Sequence, residues 1–64
     1  MAEEAHREVY FEHIVVGRSV KVVAIDSLTA VEVSIVGPLS AAKFDLERLA
    51  LQKLKARLAR DKTG

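Results

Sequence analysis

The sequence predicts an α+β domain: a three-stranded antiparallel β-meander followed by one long C-terminal α-helix packed on one sheet face. Three observations predict it. Three apolar runs rich in Val and Ile, Val9 to Val16, Val20 to Ile25 and Val31 to Val36, have strand length and are separated by turn-forming residues. Gly37-Pro38 then ends the third run, because Pro has no N–H for a ladder. From Ala41 to about Arg60 the chain is rich in Ala, Leu, Lys, Arg and Glu, with apolar residues at helical spacing.

Gly17-Arg18 separates the first two runs, and Gly at the first central position suits a type II′ hairpin turn. That turn pairs Val15 with Val20, His13 with Val22 and Phe11 with Ala24. The second break, Asp26 to Ala30, opens on an Asp able to accept from downstream amides. Ala30 stands where such loops often place Gly, so mild strain is expected there. Pairing Ala24 with Val33 and Val22 with Ile35 keeps the apolar faces aligned.

Two faces result. Val9, Phe11, His13, Val15, Val20, Val22, Ala24, Val31, Val33 and Ile35 form a nearly wholly apolar face that needs a cover. The other face is mixed: Glu12, Lys21, Glu32 and Ser34 stand among Tyr10, Ile14, Val16, Val23, Ile25 and Val36. Ser40 is the expected N-cap of the helix. Phe44, Leu46, Ala50, Leu51, Leu54 and Leu58 make its sheet-facing stripe. Leu49 falls on the polar side. A helix of about 20 residues, roughly 30 Å long, covers one face of such a sheet.

The 64 residues allow one domain, 1–64, with 1–7 as a loose N-terminal tail, 8–37 as sheet and 40–60 as helix. A core this small is thin, and small domains often gain support from disulfides, metals or a second subunit. The chain has no cysteine, and His6 and His13 are not spaced to share a helix face. Self-association is the remaining support. We expect no cofactor and no metal site. No run approaches the roughly 20 apolar residues of a membrane helix, and the start has no signal-peptide core, so a cytoplasmic location is expected.

Charge is uneven. Residues 1–40 carry net −3 and residues 41–64 net +4. A basic helix raises nucleic-acid binding through Arg48, Lys53, Lys55, Arg57 and Arg60. A solvated helix face with cations near its C-terminal end explains the same residues more simply. No aromatic platform for unpaired bases accompanies them. Ser19, Ser27, Ser34 and Ser40 have no His–carboxylate partnership, and Glu12 and Glu32 are separated by Lys21, as surface charge pairing would have it. No Gly-rich phosphate loop is present. The expectation is therefore a non-enzymatic protein-interaction module with no evident small-molecule substrate. It assembles as a homodimer through the mixed face, at Tyr10, Ile14, Val16, Val23, Ile25 and Val36, or through an exposed edge strand. Nucleic-acid binding by the helix is the alternative.

The stretches Val16-Gly-Arg-Ser-Val-Lys-Val, Ala24-Ile-Asp and Glu32-Val-Ser-Ile-Val-Gly-Pro38 resemble a small family of uncharacterised bacterial proteins. In that family a similar strand region precedes a Leu- and Arg-rich helix. The resemblance spans roughly residues 9 to 60. It implies the same strands-then-helix order and, for a domain of unknown function, no activity and no site residues.

Overall fold

The computed structural model describes residues 7–63, in the order β1 (Val9–Val16), β2 (Ser19–Asp26), β3 (Glu32–Pro38) and α1 (Lys43–Thr63). The sheet runs β1-β2-β3 with both pairs antiparallel, and α1 packs on it. This is the βββα arrangement expected. Most of the expected N-terminal tail, His6 included, lies outside the described residues.

Turn chemistry sets the register. Gly17 takes φ 61° and Arg18 does not share the positive sign, as a type II′ turn requires. Val15 then faces Val20, His13 faces Val22 and Phe11 faces Ala24. In the second turn, the Ala30 amide donates to the Asp26 carbonyl at 2.8 Å, and the Thr29 amide donates to Asp26 Oδ2 at 3.0 Å. Closing this loop puts Ala30 at φ 63°, in the left-handed region. The strain expected from the sequence is present. Beyond the turn, Ala24 faces Val33 and Val22 faces Ile35.

The helix begins later than expected. The Ala41 amide donates to the Pro38 carbonyl, while the Ala42 carbonyl accepts from Asp45 and Leu46. The chain therefore completes a turn through Ser40 before the first helical bond closes, and Ala42, not Ser40, holds the cap position. Leu46, Ala50 and Leu54 meet Val20, Val22, Ala24 and Val33 in the buried core. Val9, Phe11, Val31, Ile35, Ala41 and Leu58 are half-buried around it.

Gly37 sets where the helix sits. A Cβ built on it would lie 2.6 Å from Leu46 Cδ2, so the first turns of α1 settle onto β3 through the missing side chain. The main contacts of α1 are with β2 and β3. A helix about 10 Å wide spans about two strands set roughly 4.8 Å apart, so the third strand is left at its side. Length alone suggests full cover, but width is what limits it. Two sequence assignments fail for this reason. Phe44, placed on the sheet-facing stripe, is 71% exposed, and Val15, placed on the covered face, is 59% exposed.

Two substitutions test these points. Ala30→Gly relieves the left-handed alanine and gains about 0.5–1 kcal/mol after glycine's extra chain entropy is counted. Thermal unfolding should show Tm rising by a few degrees. Gly37→Ala forces Leu46 outward and costs about 1–3 kcal/mol. In a Leu46→Ala background the same change should cost less, a coupling that a double-mutant cycle reads directly.

Candidate assembly surface

The mixed face is less uniform than its sequence. Val23 is only 8% exposed, on the central strand between its register partners Glu12 and Ser34. Ile25, also on β2, is half-buried. A central strand has neighbours on both sides, and their side chains shield it. Tyr10 and Ile14 on β1 are exposed, Val16 is 66% exposed, and Val36 on β3 is 70% exposed. Of the six apolar residues, the structure thus presents four to a partner, three of them on β1.

The two sheet edges differ. In a two-residue hairpin the closing pair, here Val16 and Ser19, exchanges main-chain hydrogen bonds, and bonded pairs alternate from there. The Ser27 amide bond to the Glu8 carbonyl continues that alternation beyond the strand end. Even-numbered residues of β1 therefore bond to β2, and Val9, Phe11, His13 and Val15 turn their N–H and C=O groups outward. On β3 the bond from the Asp26 amide to the Val31 carbonyl fixes the opposite parity. Glu32, Ser34, Val36 and Pro38 face outward there. Lys53 reaches over this edge and donates to the Ser34 carbonyl at 2.7 Å, and Pro38 has no N–H to offer. Lysine and proline are recognised means of blunting an edge strand. The outward positions of β1 hold neither.

The helix flank above β1 mixes apolar side chains with a carboxylate. Glu47 Oε2 lies 3.1 Å from His13 Nε2, off hydrogen-bond alignment, and marks the side of α1 that faces β1. Helical spacing puts Phe44 and Leu51 on the same flank. The apolar stripe is wider than the contact with β2 and β3, and its surplus stands beside β1. Arg48 lies over the Phe44 ring, 6.0 Å from its centroid. Leu49, half-exposed, lies off the buried stripe, in keeping with its sequence position.

The basic residues of α1 do not converge. Lys53 serves the β3 edge. Arg57 pairs with Asp61 at 3.0 Å, and Arg48 lies 3.7 Å from Asp45. Lys55 lines a cleft at the far end of the helix, and Arg60 also has an interaction partner. That cleft, about 610 Å³, is bounded by Arg7, Thr29, Val31, Lys55, Leu58, Ala59 and Asp61.

At this end of the sheet Asp26 is fully buried. Its Oδ2 accepts from Thr29 Oγ1 at 2.7 Å and from the Thr29 amide, and Arg7 Nε lies 2.8 Å from Oδ1 as an ion pair off hydrogen-bond alignment. Arg7, counted in the expected tail, is thus tied to the fold. The Thr29 hydroxyl bond holds the Asp26 carboxyl below its ordinary pKa; burial opposes the shift, and the Thr29 amide and Arg7 add to it. On β1, Tyr10 donates to Glu8 Oε1 at 2.6 Å, and this bond raises the phenol pKa, with the carboxylate charge adding to it. Sequence reasoning found Asp26 as a turn acceptor. It missed Thr29 and Arg7, whose roles depend on where the loop closes. Among the described residues, no group of three or more His, Cys, Asp or Glu side chains converges as metal ligands would, and no helix is long and apolar enough to cross a membrane.

The class defined by these features is a small α+β meander with a helix on one face and, among the described residues, one edge strand that carries neither lysine nor proline at its outward positions. The chain belongs to DUF6898, a domain of unknown function, which matches residues 6–61. Comparison with curated proteins and with solved structures gives no match.

The Asp26 network carries a pH prediction. Because the folded-state pKa is lowered, its contribution is complete above the ordinary aspartate value of about 3.9 and is lost as pH falls through that value toward the folded one. Tm should drop across that acid window. Asp26→Asn should lower Tm at neutral pH and flatten the acid limb of the stability profile. An unchanged acid limb would show that other groups carry it.

Proposed function

We propose that this chain is a small, non-catalytic assembly module of the cytoplasm that binds a second copy of itself through the β1 side of its sheet. One observation carries the reading. Exposed apolar side chains gather on β1, the strand at the side of the helix: Tyr10, Ile14 and Val16 on one face, Val15 on the other. Phe44, on the adjacent helix flank, adds to them. Scattered exposed apolar residues are ordinary on a monomer, but a group beside an unblocked strand edge is what self-association uses. The absence of cysteine fits a reducing compartment. A nucleic-acid role for α1 has less support, because Lys53, Arg57 and Arg48 are already engaged within the chain.

The test is solution mass by light scattering across a concentration series. The expected result is a dimer of the 7.0 kDa chain. Val16→Lys should weaken it by about ten-fold or more in Kd, close to 1.4 kcal/mol. Leu49→Lys, at a comparably exposed site away from β1, should leave the mass unchanged. Val23→Lys is no test of the interface, since it buries a charge. A monomer at every concentration would rule the reading out.

A further inference from the structure

We infer that two copies join by antiparallel pairing of β1 with β1 about a two-fold axis at His13. The product is one continuous sheet of six strands, three from each copy, with both helices on the same face. The inference rests on the self-assembly reading and names the edge and register that it uses.

Edge parity supplies the first argument. Phe11, His13 and Val15 present main-chain donors and acceptors that β2 does not use, and pairing about His13 satisfies them with about six inter-chain hydrogen bonds. The β3 edge offers no equivalent, because Lys53 occupies the Ser34 carbonyl and Pro38 has no amide hydrogen. A second copy therefore finds one usable edge, and a two-fold interface is the self-complementary way to use one edge on each chain.

Side-chain chemistry disfavours the two registers on the N-terminal side of His13. An axis at Glu12 would set Glu12 directly against the partner's Glu12, and like charges in opposed positions are destabilising. An axis at Phe11 would set Glu12 against the partner's Tyr10, whose hydroxyl already engages Glu8, and would gather carboxylates from both chains. An axis at His13 sets Glu12 against the partner's Ile14 instead. It pairs Phe11 with the partner's Val15 on the helix-covered face and Tyr10 with the partner's Val16 on the other. It also brings Glu8 level with the partner's Arg18, twice by symmetry. Each His13 keeps its own Glu47 at 3.1 Å, so the axis holds two imidazole–carboxylate pairs. The exposed Val15 gains an aromatic neighbour, and the Phe44 flanks of the two helices face a shared trench above the paired β1 strands.

The absence of cysteine makes a clean test possible. His13→Cys should cross-link to a covalent dimer under mild oxidation, because the two Cα atoms of a hydrogen-bonded pair lie about 5.5 Å apart, within disulfide range. Lys21→Cys, on β2 and the opposite face, should stay reduced. On the unmodified chain, amide exchange should show Phe11, His13 and Val15 protected at high concentration and released on dilution, with Glu32 and Val36 exchanging fast throughout. If the unmodified chain is a dimer but the His13→Cys variant stays reduced, or those three amides exchange at the same rate at all concentrations, edge pairing about His13 is wrong while self-assembly stands. If the unmodified chain is a monomer throughout, both fall.

Discussion

The close approach of Leu46 to Gly37 is the contact on which the rest of this structure depends. With no Cβ at position 37, the first turns of α1 settle over β3, and Ala50 and Leu54 follow onto β2. A side chain there would meet Leu46 Cδ2 and force the leucine to shift. The seat of the helix decides which strand goes uncovered. It also brings Lys53 within reach of the Ser34 carbonyl on one side and Glu47 within reach of His13 on the other. Core packing, edge protection and the exposure of β1 are thus consequences of one placement.

Much of this was legible in the residues. The registers followed from a two-residue turn at Gly17-Arg18 and from period-two alternation, since a slip by one residue would expose the core. The acceptor role of Asp26 and the strained position of Ala30 followed from turn chemistry. Less was legible in the helix. A broad apolar stripe does not say which part of itself meets a sheet, so Phe44 looked like core. Ser40 looked like a cap because its side chain suits one, but the bond from the Ala41 amide to Pro38 delays the helix.

The candidate surface was legible in part for a related reason. Alternation separates two faces but cannot distinguish a central strand from an edge by depth. Val23 and Val16 read alike, and only their lateral neighbours set one at 8% exposure and the other at 66%. The blocked state of the β3 edge was not readable either. It needs Lys53 and Ser34, nineteen residues apart, to meet.

The unequal edges have a consequence for growth. Strand addition becomes a chain reaction when a module has two open edges, since each newcomer presents another free end, and the product is a fibre. Here Lys53 and Pro38 close one end of the sheet. Whatever adds through β1 meets a terminus on its far side if it is another copy of the same chain. Among the described residues the sheet thus has two unlike ends, one of them occupied by Lys53 and Pro38. The proposed pairing through β1 would stop at two copies, and a single lysine on a neighbouring helix would be part of what separates a finite particle from a polymer.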